Sequence, residues 1–317
     1  MNKIGTSVIK AAELLKAGKL VAIPTETVYG LAANGLDEVC VADIFKAKNR
    51  PSFDPMILHT DCLERVKHLV GDIPAPLAIL AEKFMPGPLS LLVEKTNAIP
   101  DITTSGLPKV AIRVPAHTMT RELLSLLDFP LAAPSANPFG YVSPTTAQHV
   151  EDQLGNEVNY ILDGGSCSVG LESTIVEYNK GQVVILRKGG ITVEAIEKVV
   201  GPVKIQKAST SNPKAPGMLK SHYSPHVSIS LDGLEKALTE YKSNDVAYIG
   251  WQKGTNLVPL ENQKILSEKG DFEEAARNLF AYLRAIDSMN VKIAVAELVP
   301  DVGLGKAIND KLRRAAV

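Results

Sequence analysis

The sequence predicts an α/β fold in two domains, on three observations. Short apolar runs of strand length alternate with amphipathic stretches of helical period as far as about residue 205, which predicts a twisted mixed sheet with helices. Residues 206–226 (QKASTSNPKAPGMLKSHYSPH) then lose any apolar period and fill with Ser, Pro, Gly and Lys, the composition of a linker. Alternation resumes over 227–317, where it predicts a smaller, Rossmann-like parallel sheet.

Each element has its own signal. Over 7–17, Val8, Ala11, Ala12, Leu14 and Leu15 recur at helical spacing and Gly18 stops the helix. Residues 20–23 form a buried strand that Pro24 closes. A helix over 39–48 carries Val41, Ile44 and Phe45 on one face, and a strand over 56–59 follows it. Residues 77–83 form a helix ahead of the turn-rich MPGPLS, and strands cover 89–94 and 109–114. Then come a helix over 121–127, a strand over 131–133, a helix over 145–154 and a strand over 160–162. Residues 174–178 and 183–187 read as a hairpin turning at Asn179, Lys180 and Gly181, with a helix over 192–200 after it. Beyond the linker, strands are expected over 227–231, 246–251, 257–260 and 293–298, and helices over 234–241, 272–288 and 304–314. No G-x-G-x-x-G accompanies them, so the second domain carries no expectation of a dinucleotide.

Composition narrows the function classes. The net charge is -1, so no global basic field points to nucleic acid. Cys40, Cys62 and Cys167 have neither metal-ligand nor disulfide-framework spacing and are expected as small buried side chains in a reducing compartment. The opening MNKIGTSVIKAAELLKAGKL lacks the continuous apolar core of a secretory leader. No apolar run approaches the ~18 residues of a membrane span. The expected location is the cytoplasm. There is no P-loop, zinc motif, nucleophile elbow or kinase signature.

Six segments remain as candidates for chemistry. In PTETVYGL and IFKAKNRPSFDPMILH, a hydroxyl-rich strand exit precedes Lys48 and Arg50 by about 20 residues. Two cations on a turning segment can clamp a polyphosphate, Arg as a planar fork and Lys as a point charge. They can equally be a solvated pair, or complement the dipole of a helix C-terminus. Arg113 in KVAIRVP suits a carboxylate or phosphate, or is an edge-strand charge. Ser135 and Asn137 in APSANP are rigid small donors, or ordinary turn residues. DGGSCSVGLESTIV offers exposed amides and Ser173, or is a tight loop into a strand. Arg187 ends ILRKGG. Residues 1–205 hold 19 Lys and Arg against 22 Asp and Glu, so four converging cations would be a local concentration in a neutral domain.

Taken together, PTETVYGL, KAKNRP, APSAN, ESTIV and PGMLKSHYSP, in this order and spacing, resemble the YrdC/YwlC family of threonylcarbamoyl-AMP synthases in its long two-domain form, over essentially the whole chain. The resemblance implies a YrdC-like catalytic domain over 1–205, a linker or lid over 206–226 and a Rossmann-like domain over 227–317. It implies that L-threonine, bicarbonate and ATP are joined into threonylcarbamoyl-AMP with release of pyrophosphate. The product would pass to the transferase machinery that modifies tRNAs reading codons that begin with A. By carry-over, Lys48 and Arg50 are catalytic. Thr27, His59, Arg113, Ser135 and Ser173 hold L-threonine. Lys48, Arg50, Asp54, Lys109, Asn137, Thr145, Arg187 and Tyr223 hold ATP, with Tyr223 closing over the nucleotide. Lys109 stands where the family often has Thr, and Asp54 where Asn is common. A carboxylate beside a triphosphate calls for Mg²⁺ to bridge them. No organic cofactor and no membrane partner are expected. The alternative is a double-stranded RNA-binding or ribosome-assembly module, with weak tRNA or double-stranded RNA binding, which the near-neutral charge weakens.

Overall fold

The computed structural model of the chain describes residues 3–206, 215–218 and 223–316. The rest of the expected linker, including His222, lies outside the described residues. The chain divides into two compact units. The first is Met1–Phe139, Ser143–Ser168 and Glu172–Leu219; the second is Gly140–Val142, Val169–Leu171 and Lys220–Val317.

The first unit is built on strands β1 (Ile4–Gly5), β2 (Val21–Ile23), β3 (Gly30–Asn34), β4 (Ile57–His59), β5 (Leu89–Glu94), β6 (Lys109–Arg113), β7 (Leu131–Ala132), β8 (Tyr160–Leu162), β9 (Thr174–Asn179), β10 (Gln182–Arg187) and β11 (Lys204–Ile205). They join one mixed sheet in the order β1-β8-β2-β3-β7-β4-β6-β5-β9-β10-β11. Its helices are α1 (Val8–Lys16), α2 (Glu38–Lys48), α3 (Ala75–Phe84), α4 (Asp101–Thr104), α5 (Thr118–Ser125), α6 (Ala147–Leu154) and α7 (Val193–Val200).

Strand alternation assigns the two faces. Ala22, Leu58, Leu91, Ile112, Val176 and Ile185 share one core with Val41 and Ile44 of α2, Leu77 and Leu80 of α3, Val150 of α6 and Ile196 of α7. Val21, Ile23, Leu131 and Leu162 point to the other face, where Val8, Ala11 and Leu15 of α1 and Leu123 and Leu124 of α5 cover them. That cover does not continue along the sheet. Over β4, β6, β5, β9 and β10, Ile57, Ala111, Leu92, Ile175 and Leu186 cluster with Ala215 and Met218 of the linker. Among the described residues of the first unit, no helix side chain joins that cluster, and His59 and Arg113 project to this face two residues beyond Ile57 and Ala111.

The element expectations hold with informative exceptions. β3 is an added strand, antiparallel to β2. Its GLAAN sequence lacks the β-branched residues that mark strands, and it makes Thr25–Tyr29 a hairpin loop. Cys40 and Cys167 are buried as expected, but Cys62 is exposed, on the loop after β4.

The second unit holds a four-stranded, all-parallel sheet of β12 (Ser228–Ser230), β13 (Val246–Gly250), β14 (Gln263–Ile265) and β15 (Ile293–Ala296), in the order β12-β15-β13-β14. Helices α8 (Leu234–Glu240), α9 (Phe272–Ile286) and α10 (Gly305–Ala315) connect or follow the strands. Ala237, Val246, Val258 and Val295 form its core. The strand expected over 257–260 is displaced to β14. Pro259 has no N–H for a ladder, Leu260 is 82% exposed, and the Gln263 amide occupies the carbonyls of Thr255 and Val258.

Candidate active site

The hairpin loop after β2 folds on its own hydroxyls. Thr25 Oγ1 accepts the amides of Thr27 and Val28 and donates to the Val28 carbonyl at 2.6 Å. Thr27 Oγ1 lies 2.7 Å from Thr25 Oγ1 and accepts Nη1 of Arg113 at 2.9 Å. Arg113 ends β6. Its Nε donates to the Gly87 carbonyl, and its Nη2 makes a buried ion pair with Glu26 at 2.6 Å. Glu26 was not among the residues anticipated from the sequence. Its signal was a lone carboxylate between two threonines in an otherwise apolar and hydroxylated run.

His59 and Arg113 are register partners on the parallel strands β4 and β6, so both side chains project from the face without a helix. The His59 ring donates from Nδ1 to the Ile57 carbonyl at 3.3 Å. Burial first, and Arg113 and Arg187 after it, push its pKa down to about 3, so the imidazole is neutral.

Lys48 closes α2. Asn49 takes the left-handed conformation (φ 50°) and the chain turns into Pro51, as expected for a helix end before proline. The Lys48 ammonium is 1% exposed and donates to the carbonyls of Ser135 and Asn137, which ties the two halves of the K-x-R…S-x-N pattern together. Burial, then Arg50, hold its pKa well below the ordinary lysine value against the pull of Asp54. Ser135 contributes its carbonyl to this tie, and the Asn137 side-chain amide donates to the Pro138 carbonyl. Arg50 folds over its own turn. Nε reaches the Asp54 carbonyl, and Nη2 reaches the Pro55 carbonyl and Asp54 Oδ2 at 3.0 Å. Burial raises the Asp54 carboxyl above its usual range, while Arg50, Lys48 and Arg187 pull it down.

Arg187 lies at a β-bulge. The β10–β9 register runs Ile185↔Val176 and then Arg187↔Ile175, with Leu186 as the extra residue. Strict alternation would send Arg187 to the helix-covered side with Ile185; the bulge sets it opposite Ile175 instead. There it donates to the Ser173 carbonyl, to Ser173 Oγ and to the Pro216 carbonyl of the linker. Ser173 Oγ also lies 2.8 Å from Ser90 Oγ.

Thr27, Lys48, Arg50, Asp54, His59, Arg113, Ser173 and Arg187 are thus joined by hydrogen bonds or charge, together with the backbone of Ser135 and Asn137. Lys109 and Thr145 are engaged elsewhere. Lys109 opens β6 and pairs with Glu177 at 2.6 Å and Glu94 at 3.4 Å. Burial opposes its charge, but the two carboxylates outweigh it and raise its pKa. Thr145 faces His149 Nδ1 and accepts the Cys167 amide at its carbonyl. Tyr223 belongs to the second unit, where it takes φ +68°, stacks on Phe280 at 5.3 Å and lies under the Lys311 ammonium. A cleft of about 780 Å³ elsewhere on the first unit, lined in part by Cys62, Ile73, Met85 and Arg121, contains none of these residues. Among the described residues, no helix is long and apolar enough to cross a membrane.

Comparison with known proteins agrees over both units. Residues 13–189 match the Sua5, YciO and YrdC family model, described as "Telomere recombination", and residues 191–317 match the model for the threonylcarbamoyl-AMP synthase C-terminal domain. Threonylcarbamoyl-AMP synthase of Pyrococcus abyssi is 40% identical, over 96% of this chain and 93% of that protein. The Bacillus subtilis protein of the same name is 35% identical, over 98% and 92%. The crystal structure of P. abyssi Sua5 complexed with L-threonine superposes with a TM-score of 0.90 at 39% identity, covering 98% of this chain and 94% of that one.

Proposed function

The chain belongs to the threonylcarbamoyl-AMP synthase family in its two-domain form, and on that premise we propose how its residues make the product. It is an enzyme of the nucleotidyltransferase type. It joins L-threonine, bicarbonate and ATP into threonylcarbamoyl-AMP, which serves threonylcarbamoyladenosine modification of tRNA.

The threonine amine and bicarbonate first give a carbamate and water. A carbamate oxygen then attacks the α-phosphorus of ATP, and pyrophosphate leaves. Two anions must approach each other, so the site's task is to neutralise and orient them. Arg113 pairs the threonine carboxylate. Neutral His59, Thr27 and Ser173 orient the amine and hydroxyl. Arg50 and Lys48 offset phosphate charge, Lys48 also by holding the segment of Ser135 and Asn137 against α2. No covalent intermediate on the protein is needed. Lys109, Thr145 and Tyr223 enter by resemblance: Lys109 and Thr145 as nucleotide contacts, Tyr223 as a cover for the nucleotide.

The observation that carries this reading is that Arg187 donates to both the carbonyl and Oγ of Ser173 while its charge also bears on His59, Arg50 and Asp54. A carbamate formed beside His59 and a phosphate held by Arg50 would meet under a shared charge. Mg²⁺ enters with the nucleotide. Among the described residues no cluster of three ligating side chains exists. Asp54, whose Oδ1 is buried without a hydrogen-bond partner, would help to hold such an ion. Such an ion supplies further neutralisation of phosphate charge.

The test is pyrophosphate release. It should require L-threonine and bicarbonate together, and release that persists with either omitted would overturn the reading.

A further inference from the structure

We infer that Thr25 and Glu26, the two residues before Thr27, are positioning residues that fix how the threonine side of the site presents itself. Glu26 sets the fork of Arg113, and Thr25 sets the direction in which the Thr27 hydroxyl points its proton. The inference rests on the threonine roles given above to Thr27 and Arg113.

The argument for Glu26 is an accounting of donors. A guanidinium has five N–H groups. Arg113 spends one from Nε on Gly87, one from Nη1 on Thr27 and one from Nη2 on Glu26. One hydrogen on each terminal nitrogen is left for a ligand carboxylate. The pair is buried, at 4% and 8% side-chain exposure, so its geometry is not averaged by water. Glu26 is itself held at both oxygens, because Oε2 accepts the Ala116 amide at 3.1 Å. The carboxylate therefore bridges the hairpin loop to the chain just beyond β6, and the fork cannot rotate without breaking that bridge.

The argument for Thr25 is one of proton direction. Its hydroxyl proton goes to the Val28 carbonyl, which can only accept. At the 2.7 Å contact between the two hydroxyls, Thr27 must then be the donor. Thr27 also accepts Nη1 of Arg113. What Thr27 offers a ligand is a lone pair, which suits an amine or hydroxyl donor and repels a carboxylate. Carboxylate and amine of the amino acid are thus sorted by two residues that need not touch it.

The test uses the full-length enzyme. Glu26→Gln cannot serve both Arg113 and the Ala116 amide, since one of its two atoms becomes a donor facing a donor. We expect its KM for L-threonine to rise by roughly tenfold or more, with the ATP KM within about twofold of wild type. Its preference for L-threonine over L-threoninamide, read by calorimetry, should collapse. Thr25→Val should raise the threonine KM alone, and Thr25→Ser should restore it. Threonine KM values unchanged in Glu26→Gln and Thr25→Val would overturn the inference. So would threonine and ATP KM values rising together by one factor, the mark of general loosening. If Glu26→Gln does not fold, the Thr25 pair of variants decides. Pyrophosphate release by the wild type without threonine would instead sink the functional reading itself.

Discussion

His59 and Arg113 stand opposite each other in the parallel ladder of β4 and β6, and the guanidinium is the largest charged influence keeping the imidazole neutral. A neutral ring beside a bound cation can orient an amine without competing for the carboxylate that the cation recruits. Burial supplies most of the effect and Arg113 adds to it, so the site does not depend on pH to choose the form of His59.

The first prediction concerns stability. His59 binds a proton with a pKa near the usual 6.5 when unfolded and about 3 when folded. Between those values the unfolded state binds more protons, so stability rises with pH there and is lost as pH falls below 6.5. The His59 contribution to that slope is about 1.4 kcal/mol per pH unit. Urea unfolding at pH 4.5 and 6.5, for wild type and His59→Gln, checks it. An equal slope in the two proteins refutes the assignment.

The second concerns Lys48. Replacing it by Met keeps most of the volume but leaves the carbonyls of Ser135 and Asn137 without their donor. We expect roughly 1–3 kcal/mol of destabilisation and loss of most activity in a protein that still folds. Lys48→Ala and Arg50→Ala should lose most activity as well. Full activity in any of these would remove the residue concerned from the reaction.

The third separates charge from shape at Asp54. Asp54→Ala leaves Arg50 buried without its partner, which should cost about 3–5 kcal/mol. Asp54→Asn keeps an acceptor for Arg50 and should fold with little loss. If the alanine variant melts with the asparagine variant, the Arg50–Asp54 pair is not what holds the turn.

The fourth concerns the guanidinium shared by both halves of the site. Arg187→Lys cannot reproduce three donations to Ser173 and Pro216. KM should rise for both threonine and ATP, each by roughly tenfold, because planar hydrogen bonding is lost at one point that the proposed function gives to both substrates. Arg50→Lys should raise the ATP value alone. Steady-state titration of each substrate distinguishes the two patterns.

Much of this was legible in the sequence. The apolar alternation predicted the β2, β4 and β6 strands, and the apolar face of Val41, Ile44 and Phe45 predicted a helix over 39–48. The motifs named Thr27, Lys48, Arg50, Asp54, His59, Arg113, Ser173 and Arg187, which lie together, and also Lys109, Thr145 and Tyr223, which do not lie with them. What was not legible had physical causes. Convergence of Lys48, Arg50, Arg113 and Arg187 depends on strand order, which local pattern does not encode. β3 was hidden because Gly and Ala carry no strand signal. The role of Glu26 needs a partner 87 positions away. The strand expected at 257–260 failed because four residues with two leucines and a valine looked apolar, although both leucines face water.

The bulge at Leu186 has a consequence for how the chain finds its register. If β10 slid by one residue to restore a regular ladder, Leu186 would pair with Ile175 and Arg187 would turn into the helix-packed side of the sheet. A guanidinium among Val176, Ile185 and Ile196 would be a buried charge with no acceptor, at a cost of several kcal/mol. The misregistered hairpin is therefore penalised by the same side chain that the proposed function assigns to the substrates. This cation doubles as a folding checkpoint, and removing it should relax register selection at this edge of the sheet.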